Sequence, residues 1–534
     1  MTTLDDLIRQ GRTEEVWQKY CGFLDLNVKE FMAIQERLLT EELQLVGQSE
    51  LGRVIMGDDP PQDLEGFRRR VPVTTYADYA PYLDEKREDV LATETVAWAH
   101  TSGRSGRYKW APYNATLFPR LGEGAITAMI LASARRRGEV RLEPGATVIY
   151  NTPARPYMGG YVLQSLAELF EFRFAPPTEV TEQMSFGERI RASFSMALRS
   201  GVDHIGSISS VLIKIGEGFV EGKSTSKFSL QLLHPAVQFR LARAMLRSRL
   251  AGRPMLPKDL WRVKGLMVGG SDTDIYRDRL RYYWGVEPHE GYGSTEAPNI
   301  MACHAWDHKG LYFLPDVDFY EFIPEAEREK EKADETYIPK TLLLDEVEVG
   351  SRYEVVITSF YGAPFLRYRL HDLVRFISLR DEETGIELPA VTFVSRDADL
   401  IDLAGFTGLI DEKMIWRAIA DSGVAYEEWA VRKEQMGEHA GLHLYIELKE
   451  ELPVEEVARR VHQALASLNS FYADLESFLD ARPLRATVLS PGTFGRYMRE
   501  QNAVGADLAH LKPAHMNASD AVVDALLRLN ETTI

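Results

Sequence analysis

Cysteine is nearly absent from this chain: Cys21 and Cys303 are the only two among 534 residues. A disulfide scaffold is therefore excluded, and a reducing, cytoplasmic setting is expected. Positive charge is also in deficit, with 62 lysines and arginines against 80 acidic residues and a formal net charge of -18. A nucleic-acid backbone calls for a basic surface, so no nucleic-acid partner is expected. Docking on an anionic membrane is disfavoured for the same reason. Apolar runs long enough to span a bilayer are missing. The opening MTTLDDLIRQGRTEE has no basic stretch followed by an apolar core, so a secretory signal is not expected. There is no Gly-x-Ser-x-Gly elbow, no nucleophile context around either cysteine, no internal repeat and no low-complexity tract. What is present is the ordinary composition of a soluble protein, 45% hydrophobic and 27% charged, in a chain long enough for two domains.

Residues 1–50 carry apolar positions at three- and four-residue spacing, including Trp17, Tyr20, Phe23 and Leu24, and read as helical. A strand is expected at 94–100 and a helix at 115–137. Short buried strands are expected at 146–150 and 264–269, with helices at 160–171 and 228–250 between them. Strands alternating with helices predict an α/β architecture. The charged run at 324–340 reads as a solvated loop. Alternating patterns at 347–360 and 363–378 predict a hairpin-like pair. Beyond residue 396 the pattern becomes a smaller α+β unit. Its helices are expected at 411–421, 453–469, 494–502 and 518–529, and its strands at 427–433, 442–448 and 484–489.

Four motifs stand in order along the chain. The first is Thr-Ser-Gly-Arg-Ser-Gly-Arg-Tyr-Lys at 101–109. Such a loop offers backbone N–H groups and small hydroxyls to phosphate oxygens. Gly103 and Gly106 permit close backbone approach, and Lys109 adds a mobile positive charge. The second is Gly-Tyr-Gly-Ser-Thr-Glu at 291–296, which follows a Gly-Gly-Ser turn at 269–271. The third is Arg-Tyr-Arg-Leu-His-Asp at 367–372, and the fourth is SRDADLIDLAGF at 395–406. Two decoys are set aside. GEGFVEGKS at 216–224 imitates a phosphate-binding loop but has Glu217 where glycine is needed, and it reads as a loop after a helix. CHAWDH places Cys303, His304, Asp307 and His308 at metal-ligand spacing, but no second ligand cluster is evident in the sequence, so no metal is expected there.

Taken together, the four motifs resemble those of the adenylate-forming superfamily of acyl-CoA synthetases, peptide-synthetase adenylation domains and luciferases. The first is similar to its phosphate loop, the second to its acyl-adenylate motif, the third to Tyr-Arg-x-Gly-Asp and the fourth to its hinge. Within that superfamily the chain resembles the Gretchen-Hagen type, the auxin-responsive acyl acid amido synthetases. VEVGSRYEVVIT, LRYRLHDLVRF, LNSFYADLESFLDARPLRATVLSPGTFGRYM and LKPAH carry this likeness, which runs from about residue 30 to 516. Three positions depart from the pattern. Arg104 replaces a hydroxyl residue, Tyr108 a proline and His371 a glycine. Arg104 adds a phosphate contact or shields the loop, and His371 requires room and an unusual backbone angle.

The resemblance implies an α/β fold: a large N-terminal adenylate-forming domain at 1–396 with mixed sheets flanked by helices, and a mobile α+β domain at 397–534 turning about 396–402. It implies ATP and Mg2+. Ser102, Gly103, Arg104, Ser105, Gly106 and Lys109 would cradle phosphates, with Gly270 and Ser271 nearby. Tyr292 would lie beside adenine, Gly293, Ser294 and Thr295 against the adenylate, and Glu296 on magnesium. Asp372 would take both ribose hydroxyls unless it serves as a salt-bridge partner of Arg369 or Arg375, and Arg396 would reach ribose or phosphate. Lys512, Glu296 and Lys109 form the implied catalytic set. Ile126, Ile208, Val211 and Leu212 are expected to line an apolar acyl pocket. The implied partners are a small carboxylic acid and an amine, with an amino acid as first choice, and the implied state is a monomer. A thiol acceptor, or a catalytically silent nucleotide-binding or partner-binding role, stands as the alternative.

Overall fold

The computed structural model describes residues 2–101, 109–184, 186–220, 234–269, 273–297, 299–334, 336–396, 400–403, 409–437, 439–479, 482–503 and 515–531. The described residues form two compact units, one ending at Ser395 and the other beginning at Arg396.

The first unit contains β1 (Thr95–Thr101), β2 (Lys109–Asn114), β3 (Thr147–Tyr150), β4 (Arg173–Phe174), β5 (His204–Ile208), β6 (Gly265–Gly269) and β7 (Pro288–Ser294). These are followed by β8 (Asn299–His304), β9 (Leu311–Phe313), β10 (Asp318–Pro324), β11 (Arg352–Ser359), β12 (Tyr368–Ser378) and β13 (Ala390–Arg396). β1 and β2 pair with each other, and the rest form one sheet in the order β10-β11-β12-β13-β9-β8-β7-β6-β5-β3-β4. β4, β3, β5, β6 and β7 pair in parallel. β7 then pairs antiparallel with β8, so the sheet changes character at β7.

The sequence explains this division. β3 and β6 are short and largely apolar, as parallel strands covered on both faces tend to be, and β5 is buried throughout although it carries His204 and Ser207. One covering helix, Leu117–Ser133, is buried on nearly every side. It approaches the helix Met158–Leu169 so closely that a Cβ on Gly122 would lie 2.7 Å from the Ser165 hydroxyl. Farther out, Val28–Val46 starts at Asn27, whose side chain caps two helical N–H groups while Glu30 returns the bond. Its Phe31, Leu38, Leu39, Leu43 and Val46 are buried at helical spacing. Both cysteines are buried and unbonded.

The hairpin-like pair falls at β11 and β12, which are antiparallel. Two sequence readings need correction. The charged run is helical over Glu325–Ala333, because Arg328 and Glu331 have partners on the sheet rather than in water. Gly216–Val220, read as loop, close the helix Ser209–Val220. The sheet partner of the charged helix is Glu354, which is fully buried on β11. Arg328 reaches it at 2.8 Å, Arg369 forks onto it at 2.8 and 2.7 Å, and His371 stands 3.2 Å away. Arg369 also holds Glu331 at 2.6 and 3.0 Å.

The second unit has β14 (Leu400–Asp402) paired with β15 (Leu409–Asp411), and a sheet of β16 (Tyr426–Met436), β17 (His439–Leu448) and β18 (Leu484–Leu489). Helices Thr493–Ala503 and Asp520–Glu531 pack apolar residues, including Phe494, Val523 and Leu526, against Ala430, Tyr445 and Leu489. Among the described residues, no helix is long and apolar enough to cross a membrane.

Burial raises the Glu354 carboxyl, but Arg369 and His371 more than offset it and hold it at about 2. A depressed carboxylate contributes stability above its ordinary value of 4.5, and that contribution fades as pH falls toward 2. Acid titration of the wild type should show this loss. Glu354→Gln, which leaves buried arginines uncompensated, should cost about 3–5 kcal/mol in denaturant unfolding at neutral pH and flatten that acid limb.

Candidate active site

Three strands of the first unit bring together five of the expected residues. β2 opens with Lys109, β7 carries Tyr292 and leads into Thr295 and Glu296, and β12 carries Asp372. Lys109 donates from Nζ to the Tyr368 hydroxyl at 3.1 Å. Tyr368 in turn donates to Glu296 Oε1 at 2.9 Å, and Lys109 Nζ lies 3.7 Å from the same oxygen. A lysine, a phenol and a carboxylate thus form one charge-assisted chain, in which each bond polarises the next. Burial and the adjacent Glu296 push the Tyr368 phenol far above its usual range, so it stays a donor. Lys109 also sits 5.5 Å from the centre of the Tyr76 ring.

The turn between β7 and β8 is held in place at three points. Ser294 Oγ accepts the Ala297 N–H at 3.1 Å, Tyr113 donates to the Thr295 carbonyl at 3.0 Å, and Ser359 donates to the Glu296 carbonyl at 3.0 Å. The ladder between β7 and β8 is irregular between Tyr292 and Gly293, where the chain bends into the turn.

Tyr292 is buried, and its hydroxyl donates to Asp372 Oδ2 at 3.0 Å. Of the two arginines weighed as its partners, Arg369 is engaged by Glu354 and Glu331, and Arg375 is exposed. His371, at the position where the motif has glycine, has φ 59°, the left-handed angle that glycine adopts without strain.

The other expected residues fall in different places. Ser102, Gly103, Arg104, Ser105, Gly106, Gly270, Ser271 and Lys512 lie outside the described residues. Arg396 ends β13. The chain resumes after Lys512 at His515, which stacks on Trp429 at 4.4 Å and lies between Glu412 and Glu428. Ile126, Val211 and Leu212 are fully buried and Ile208 nearly so. Ile126 sits in the helix Leu117–Ser133, Ile208 ends β5, and Val211 and Leu212 open the helix Ser209–Val220. A cavity of about 330 Å3 lies elsewhere, beyond β3, and is lined by residues that include Thr152, Arg155, Gln164, Glu182 and Arg189. Sequence reasoning gave no role to Tyr368, Tyr113 or Ser359. Tyr368 opens the third motif and could have been found there; nothing in the sequence singles out the other two.

Two family models match the chain. Residues 22–212 match the GH3 family N-terminal domain and residues 311–396 the GH3 family central domain, together just over half the chain. The chain is 26% identical over 292 residues to a jasmonoyl-L-amino acid synthetase, GH3.5, of Oryza sativa subsp. japonica, covering 51% of this chain and 48% of that one. It is 22% identical over 552 residues to an indole-3-acetic acid-amido synthetase, GH3.10, of Arabidopsis thaliana, covering 88% of each. Among solved structures it superposes on the acyl acid amido synthetase AtGH3.15 in complex with 2,4-DB, with TM-score 0.51 at 16% identity over 95% of both chains, a likeness of fold.

Tyr292→Phe removes a neutral donor from a buried carboxylate while keeping the ring against Phe393, 5.9 Å away. It should lower unfolding stability by about 1.5–3 kcal/mol, as losing a hydrogen bond to a charged group does, and equilibrium denaturation measures this directly.

Proposed function

This chain belongs to the GH3 family, and we propose that it is an ATP-dependent ligase that adenylates a carboxylic acid and passes the acyl group to an amine, with an amino acid as the first candidate. The relatives named above act on acids of this kind, and the observation that carries the reading is the Lys109–Tyr368–Glu296 chain beside Tyr292–Asp372. A carboxylate and a triphosphate repel, so the site must neutralise charge and hold the acid in line with the α-phosphorus. Lys109 is placed for the first task by a fixed phenol rather than by its own flexible stem. Ser102, Gly103, Arg104, Ser105 and Gly106 supply donors to the phosphates, and Gly270 and Ser271 line the same nucleotide. Asp372 accepts from the ribose hydroxyls, held for that by the Tyr292 hydroxyl.

Magnesium fits the site in one respect: Glu296 is a hard oxygen donor, largely buried and close to a lysine. When bound there the ion would screen phosphate charge. The residues after Arg396 turn about 396–402 between the two half-reactions. In the first, Lys512 stabilises the five-coordinate phosphorus as pyrophosphate leaves. In the second, the amine attacks the acyl carbon and AMP leaves. Ile126, Ile208, Val211 and Leu212, all buried, would line an apolar pocket for the acid, whose class is set by experiment.

The test is product analysis with ATP, magnesium, a panel of carboxylic acids and pooled amino acids. AMP and an amide should form together, only when acid and amine are both present. Lys512→Ala should slow the adenylation step by roughly a hundredfold or more, the scale of a lost transition-state contact. AMP formed with coenzyme A but with no amine would redirect the reading to a thiol acceptor. AMP formed under no combination would overturn it.

A further inference from the structure

Three histidines of the first unit face one another, none of them among the residues assigned to nucleotide. His289 is on β7, His304 ends β8, and His308 is in the turn that follows. Their rings meet edge to face, with centres 5.7 Å apart for His289 and His304, 5.6 Å for His289 and His308, and 5.9 Å for His304 and His308. One ring nitrogen from each lies within 4.8 Å of the others. Among the described residues no other group of three potential ligands comes this close together.

Ring packing alone does not account for the nitrogens. His289 is buried, and neither of its ring nitrogens has a hydrogen-bond partner; the same holds for Nδ1 of His308. A buried polar atom left without a partner costs about 1–3 kcal/mol. His308 also takes φ 55°, an angle few non-glycine residues adopt, and it does so where its ring completes the triangle. Burial, first of all, favours the neutral form of all three imidazoles. Neutral imidazole has one lone pair to give. On His304 that lone pair, at Nδ1, accepts the Glu290 N–H at 3.1 Å. A cation takes it by displacing this one bond, or the ring proton moves from Nε2 to Nδ1 and frees Nε2 as the donor. Arg277, the nearby positive charge, is already paired with Glu290 at 2.7 Å.

We propose that His289, His304 and His308 hold one divalent ion of the zinc class through three ring nitrogens, with water in the fourth position. Nitrogen donors select a borderline ion and reject magnesium and calcium, which take oxygen. In a tetrahedral zinc site the nitrogens stand about 3.4 Å apart, so nitrogens that now lie within 4.8 Å of one another close by up to about 1.4 Å on binding. The ion clips the start of β7 to the end of β8 and the next turn. Those two strands frame the turn that carries Thr295 and Glu296, so the ion's role is to hold that turn's base. The inference rests on the histidines alone and stands whether or not the ligase reading does.

The test uses the full chain, prepared without a polyhistidine tag, stripped with chelator and titrated with Zn2+ and, separately, Co2+. One equivalent should bind, with the visible bands of four-coordinate cobalt and a zinc-dependent rise in thermal midpoint. His289→Gln and His308→Asn should each abolish the bands and weaken binding by about a hundredfold or more. Asparagine tolerates the left-handed angle, so His308→Asn tests the site even if His289→Gln fails to fold. No saturable binding by the wild type, or equal binding by wild type and variants, would overturn the proposal.

Discussion

Glu354 is fully buried with Arg369, Arg328 and His371 around it, and the position of the polar site residues depends on that cluster. A carboxylate in that position is tolerable only with cations fixed beside it. The constraint passes along β12 through an irregular stretch of its ladder with β11, where His371 takes φ 59°. Arg369 and His371 turn to Glu354, so Tyr368 and Asp372 fall on the other face, where Glu296 and Tyr292 meet them. One strand thus has a face of structural ion pairs and a face of candidate chemistry. Just before it, Arg367 is locked to Glu321 at 2.9 Å on both oxygens, which fixes where the strand begins.

β7 is the complementary element. It pairs in parallel with β6 and antiparallel with β8, and at that change of direction the chain bends into the turn of Thr295 and Glu296. Open α/β sheets place ligands where strand direction or order changes, because neighbouring connections diverge there and leave a crevice. The start of β2, the β7 end and the β12 face together give Lys109 with Tyr368 and Glu296, and Tyr292 with Asp372. That set suits a reaction in which charge must be neutralised and held, as in transfer to an α-phosphate.

Much of this was legible from sequence. β3 and β6 announced themselves as short apolar runs, whereas β5, with His204 and Ser207, did not, and the motif order pointed to the family that the family models match. Lys109, Tyr292, Glu296 and Asp372 were named from motif position alone. What failed did so for physical reasons. The charged run at 324–340 looked solvated because composition does not reveal that a buried Glu354 lies opposite its Arg328. The nearness of His289 to His304 and His308 was not legible, because it sits on a different strand and is brought to them by sheet pairing rather than by spacing.

The measurement that bears most directly on this account is acid-dependent exchange of labelled pyrophosphate into ATP, with wild type, Lys109→Ala and Tyr368→Phe compared across pooled carboxylic acids. The account predicts exchange with at least one pool, abolished in Lys109→Ala and reduced by about ten- to a hundredfold in Tyr368→Phe, which loses one charge-assisted bond. Exchange that is undiminished in both variants, or absent from every pool in a wild type that binds ATP, would contradict it.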